Sequence, residues 1–181
     1  MTDTDRRRID IVMDADFLTG LDQLSVEELR ERRVMCDDLD IEFSYYRRML
    51  HGRIDLVAFE QRRRAGDEEQ TLLEALPRIL AEGAYTASPG LPSRTVPIEV
   101  PDIPSPGRRL IDRALQDDFL ARLSSVADGE LDETHRFLIQ VELEVSQQRK
   151  AVHAALDRLQ EELTRRYRDG SADPGELLAH E

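Results

Sequence analysis

Ten polar residues carry the chemistry that this sequence offers, and they come as two sets of five. Asp40, Ser44, Arg47, His51 and Asp55 form the first set. Glu142, Ser146, Arg149, His153 and Asp157 form the second. Both read acid-x3-Ser-x2-Arg-x3-His-x3-Asp, offset by 102 residues with no slip. On an α-helix these five spacings fall within an arc of roughly 80°, so each set is one polar stripe down one face. A carboxylate and an arginine on one face suit guanine. The carboxylate accepts from N1–H and N2–H, and the guanidinium fork donates to O6 and N7 or to a phosphate. Serine and histidine add donors for phosphate oxygens. Two stripes alike in kind and spacing suggest two half-sites for one symmetric or doubled ligand. A twofold-symmetric guanine dinucleotide would use each feature twice.

Two other readings fit a single stripe. The blander is a solvated helix face laced by i,i+4 pairs, but it does not explain why the spacing recurs. The other is a metal site, since His51-x3-Asp55 and His153-x3-Asp157 have helical ligand spacing. Arg47 and Arg149 stand within one turn of those pairs and would repel a cation. No metal is therefore expected. Nucleophile elbow, phosphate loop and cysteine-zinc patterns are missing, so no enzyme is expected either.

The stripes need long helices to carry them, and the flanking sequence supplies these. The repeat extends past the stripes: Ile41 answers to Leu143, Phe43 to Val145, Leu50 to Val152, Val57 to Leu159 and Glu60 to Glu162. Ser25 and Glu28 form a capping box, which predicts a helix from 25 to about 64. Along it Leu29, Cys36, Phe43, Leu50 and Val57 recur every seven residues, with Leu39 and Tyr46 between them. That is a coiled-coil seam. Gly52 weakens it by roughly 1 kcal/mol against Ala. A second long helix is predicted over 130–168, after a break at Asp128-Gly129. Its seam is Leu138, Val145, Val152 and Leu159, with Val141, Leu156 and Leu163 in support. Shorter helices are predicted over 68–81, where Pro77 lies inside or ends the helix, and over 108–127. The expected fold is all-α: an antiparallel coiled-coil helix pair, two shorter flanking helices and a long Pro-rich loop over 82–107. Residues 1–24 read as a flexible arm with an apolar patch at 9–13, residues 25–168 as the helical domain, and 169–181 as a frayed tail. If the two seams pack together, a pseudo-twofold axis relates the stripes, and a monomer is a pseudo-dimer.

Composition narrows the partners. The chain of 181 residues has a net charge of −13, which disfavours direct binding to nucleic acid. Lys150 is the only lysine, while arginine clusters at Arg47-Arg48 and Arg62-Arg63-Arg64. Cys36 is alone and falls on the apolar seam, so a packed thiol is expected and no disulfide. There is no signal peptide or membrane-spanning run, and the chain reads as cytoplasmic.

The doubled stripe resembles the signature Glu-x3-Ser-x2-Arg-x3-Gln-x3-Asp that occurs twice in the RsiG-type anti-sigma factors of actinobacteria. The segments FLTGLDQLSVEELRERR and SYYRRMLHGRIDL are similar to that family as well. The resemblance covers roughly 17–65 and 130–165. It implies a protein that binds a dimer of cyclic di-GMP, two molecules per chain, and in that state sequesters a WhiG-type sigma factor. The family's ligand residues carry over unchanged to Ser44, Arg47, Asp55, Glu142, Ser146, Arg149 and Asp157. Asp40 stands where the family has Glu, and His51 and His153 stand where it has Gln. The alternative is a coiled-coil adaptor with no small-molecule ligand.

Overall fold

The computed structural model describes residues 7–84, 110–115 and 118–170. These are helical, with no strand among them. Among the described residues, five short elements and one of intermediate length accompany two long helices. α1 is Arg8–Val12, followed by 3-10 turns at Ala15–Leu18 and Leu21–Gln23. α2 is Val26–Ala65, α3 Leu72–Ala84, α4 Leu110–Ala114, α5 Phe119–Leu123 and α6 Asp128–Arg168.

α2 begins where its cap dictates. Ser25 Oγ accepts from Glu28 N at 3.1 Å, and Glu28 returns a carboxylate to Ser25 N at 2.7 Å. It runs on through Gly52 and closes at Gly66, whose φ of 89° is readily adopted only by glycine. α6 ends in the same way before Gly170, at φ 77°. The predicted seams form much of the core. Leu29, Cys36, Leu50 and Val57 are fully buried, as are Val152 and Leu159, and Phe43, Leu138 and Val145 nearly so. A fully buried Leu or Val side chain contributes roughly 1.5–3 kcal/mol, which fixes the face that each helix turns inward.

α2 and α6 pack against each other. The chain divides into two compact units, Met1–Ile41 with Gln147–Glu181 and Glu42–Ser146, and each long helix contributes to both. The pairing is antiparallel within each. In the first unit Arg30, near the start of α2, donates to Tyr167 Oη, near the end of α6. In the second, Gln61 donates to Asp132 at 2.7 Å and Arg64 to Asp128 at 2.7 Å.

Several expected boundaries move. Asp128 and Gly129 do not break the chain; they form the first turn of α6, where the ladder needs no donor from them and Arg64 holds the Asp128 carboxylate. The shorter helix starts at Leu72 rather than 68, because Thr71 and Glu74 make a second capping box. Pro77 lies inside it. The single helix expected over 108–127 is two short ones, with residues 116–117 outside the described set. Residues 7–24, read as an arm, form helical turns that bury Ile9, Val12, Phe17 and Leu21. Of the apolar patch at 9–13, only Met13 stays well exposed. The Pro-rich loop from residue 85 and the tail from residue 171 lie outside the described residues.

Candidate functional site

Each unit contains one cluster built from stripe residues, and each cluster mixes the two copies. In the Glu42–Ser146 unit, Glu142 Oε1 accepts from Ser146 Oγ at 2.6 Å, from His51 Nε2 at 3.0 Å and from Arg47 Nε at 3.2 Å. Ser146 is one turn along the same helix, but His51 and Arg47 come from α2. In the other unit, Asp40 Oδ1 accepts from His153 Nε2 at 2.6 Å and from Arg149 Nε at 2.8 Å. Here the acid sits on α2 and its donors on α6. The offset of 102 residues that relates the stripes also relates the acid, arginine and histidine of the two clusters, with Ser146 as an addition in one.

These groups are neither sunk in the core nor free in water. The Glu142 carboxylate side chain is 20% exposed and that of Asp40 is 29%. Burial works to raise the Glu142 pKa, but hydrogen bonds from Ser146, His51 and Arg47 outweigh it and hold the group below its ordinary range. Glu142 is therefore ionised at neutral pH and can only accept. The proton shared with His51 must then sit on the imidazole Nε2. Ser44 is half-buried on α2. Asp55 and Asp157 have no hydrogen-bond partner among the described residues; Asp55 is half-buried and Asp157 exposed. All ten residues thus lie on α2 or α6 at the surface. Six of them are joined in two carboxylate-centred clusters with Ser146 as an added donor in one.

The clusters expose what the cationic members do in the free chain. They are engaged with carboxylates of the opposite helix, so an anionic or guanine ligand must displace or share these bonds. Among the described residues no group of three or more His, Cys, Asp or Glu is placed to hold a metal ion.

A second doubled pattern carries no ligand chemistry in the sequence reading, yet it anchors the helix pair. Glu60, fully buried, accepts from Arg63 at 2.8 Å and from Arg64 at 2.7 Å. Glu162 accepts from Arg165 and Arg166 at 2.7 and 2.8 Å. Hydrogen bonds from Arg63 and Arg64 lower the Glu60 pKa, and those from Arg165 and Arg166 take Glu162 down to about 2. In each case the second arginine reaches further. Arg64 donates to the carbonyls of Leu123 and Val126, and Arg166 to that of Leu21. Glu-x2-Arg-Arg at the same offset of 102 was the available signal. The Arg62-Arg63-Arg64 run is thus largely spent on structure rather than on phosphate.

A cavity of about 160 Å³ in the Glu42–Ser146 unit is lined by Arg53, Phe119, Phe137 and Leu138 among others, and by none of the stripe residues. Arg53 stacks over the Phe119 ring at 4.8 Å and donates to the Ala114 carbonyl at 2.7 Å. These bonds tie α4 and α5 to α2.

Residues 15–80 match the family model described as RsiG-like. The match spans the first stripe and ends before the second. No curated protein matches the chain. No helix among the described residues is long and apolar enough to cross a membrane.

Proposed function

On the premise that the match over residues 15–80 supports an RsiG-type protein, which suggests a regulator of the anti-sigma-factor type rather than an enzyme, we propose that the chain is an anti-sigma factor controlled by cyclic di-GMP. Two molecules bind per chain, with Asp40, Arg149 and His153 serving one half-site and Glu142, Ser146, Arg47 and His51 the other. The bound chain sequesters a WhiG-type sigma factor.

The observation that supports this reading is the make-up of the two clusters. Each gathers an acceptor that guanine N1–H and N2–H can use and an arginine suited to O6, N7 or a phosphate. Acid, arginine and histidine repeat in both, although Asp40 and Glu142 differ by one methylene and Ser146 adds a donor to Glu142. Asp55 and Asp157 stand one turn beyond His51 and His153 as further acceptors. On binding, the ligand takes over part of the work that the helices now do for each other, so affinity is the difference between the two sets of bonds. His51 and His153 occupy the positions of the family's Gln and donate through Nε2 as an amide would.

Charge supports this choice of partner. A chain of net charge −13 complements the basic promoter-reading faces of a sigma factor. A nucleotide that touches both proteins strengthens their complex by its differential affinity for the complexed state. Titration calorimetry with cyclic di-GMP should show two molecules per chain, and pull-down of a WhiG-type sigma factor should be stronger with the nucleotide. No heat with cyclic di-GMP would reject the ligand, and equal capture with and without saturating nucleotide would reject the control.

One observation favours the alternative of a coiled-coil adaptor with no small ligand. Asp40 and Glu142 already have their charges answered by arginine, as in a purely structural ion-pair network. The same titration decides between the two.

A further inference from the structure

We infer that Ile41 and Leu143 are the apolar walls of the two half-sites, each covering one face of a guanine base whose edge is read by the adjacent carboxylate and arginine; this rests on the cyclic di-GMP reading above. The seam residues of α2 and α6 are buried, and these two lie outside the seam. Ile41 is 41% exposed and Leu143 is 55% exposed. Scattered exposed apolar residues are ordinary on a protein surface. These two are not scattered. They occupy the same position in the 102-residue repeat, each directly follows the acid of its stripe, and each lies in the same unit as that acid.

Helix geometry sets the relation. The seam borders each stripe on one side, about 40–120° round the helix from the acid. Ile41 and Leu143 border it on the other side, roughly 100° from Asp40 and Glu142. Each stripe is therefore a polar strip between a buried apolar edge and an exposed one. Val34 extends the exposed edge on α2 and Ile139 extends it on α6, at 58% and 47% exposure. A purine has a polar edge and two apolar faces. Hydrogen bonds from Asp40 or Glu142 and their arginines fix the edge and leave the faces in water. An aliphatic wall beside the acid removes one face from water and stops the base from swinging out of plane. The requirement is for apolar surface and not for one shape, which fits an isoleucine in one copy and a leucine in the other.

The test is calorimetry with cyclic di-GMP on the full chain carrying Ile41→Ser and Leu143→Ser, singly and together, beside Ile41→Leu with Leu143→Ile. Leu73→Ser, at a position 79% exposed on α3, is the control. Thermal melts check folding; if the serine variants melt early, Ile41→Ala with Leu143→Ala carries the test. The double serine variant should bind about tenfold or more weakly, as expected for loss of a buried aliphatic contact. The aliphatic swap and the control should bind as wild type. Wild-type affinity in the double serine and double alanine variants overturns the inference while leaving the ligand in place. Unchanged nucleotide affinity with lost sigma-factor capture overturns it too, and assigns the face to the protein partner. No binding by the wild-type chain removes the ligand reading and this inference with it.

Discussion

Arg149 Nε donates to Asp40 Oδ1 at 2.8 Å, although the two residues belong to different copies of the repeat. The equivalent bond, from Arg47 to Glu142 at 3.2 Å, runs between the helices in the opposite sense. A stripe is therefore not a site in itself. Asp40 and Glu142 are each served by the arginine and the histidine of the other stripe, so the polar groups are held together across the helix seam.

The cross-copy pairing predicts where energetic coupling lies. In a double-mutant cycle on folding stability, Asp40→Asn with Arg149→Gln should show coupling of about 0.5–1 kcal/mol, since the pair is partly shielded from water. Asp40→Asn with Arg47→Gln, two residues of one stripe, should be additive. Urea denaturation of the variants measures both. Additivity in the first cycle would deny that the pair contributes to the fold.

For ligand affinity the same arginines should matter more. Arg47→Ala and Arg149→Ala should each cost at least ~1.5–3 kcal/mol of cyclic di-GMP binding, the range for hydrogen bonds to charged groups. Calorimetry against wild type reads this directly, and a loss confined to one of the two arginines would show that the half-sites are unequal.

The histidines donate through Nε2 to carboxylates that accept, and a glutamine amide can donate to the same oxygens. His51→Gln with His153→Gln should therefore keep cyclic di-GMP binding within about threefold, well under the 1.4 kcal/mol of a tenfold change. Titrations at pH 5.5, 7 and 8 give the result. A double variant that binds at none of these would mean that imidazole chemistry is indispensable.

Glu162 gives a pH dependence of stability with a definite sign. Hydrogen bonds from Arg165 and Arg166 take its pKa from the ordinary 4.5 to about 2 in the folded chain. A depressed carboxylate pKa contributes stability that is fully present above the unfolded value and is lost as pH falls through the folded one. Glu162→Gln should thus be less stable than wild type at pH 7. The gap should narrow below about 4.5 and close near 2. Thermal midpoints over this range provide the check, and a constant gap would dissociate Glu162 from the acid sensitivity.

The two arginines on Glu60 should differ in weight. Arg64 also holds Asp128 and the carbonyls of Leu123 and Val126, whereas Arg63 is more exposed and serves Glu60. Arg64→Ala should cost about 1.5–3 kcal/mol of stability and Arg63→Ala about 1 or less. Urea midpoints at constant slope would measure the difference. Equal costs would mean that the bonds to the α5 end contribute little.

Periodicity and capping determined much of this protein from the sequence alone. Seven-residue spacing of Leu29, Cys36, Phe43, Leu50 and Val57 placed α2 and its buried face, and Ser25 with Glu28 marked its start. These are local properties: a helix fixes which residues share a face, whatever it packs against. The placement of the stripe residues along α2 and α6 was legible for the same reason. The split of the 108–127 helix and the start of α6 at Asp128 were not, because Arg53 and Arg64 reach those segments from 59 to 64 residues away in the chain. The pairing within the site was hidden in a similar way. Sequence spacing groups Asp40 with Arg47, but side chains meet where helices cross, and antiparallel packing brings Arg149 and His153 to Asp40 instead. Only the tertiary structure decided that, since the register between two helices depends on how their seams interlock and not on either helix alone.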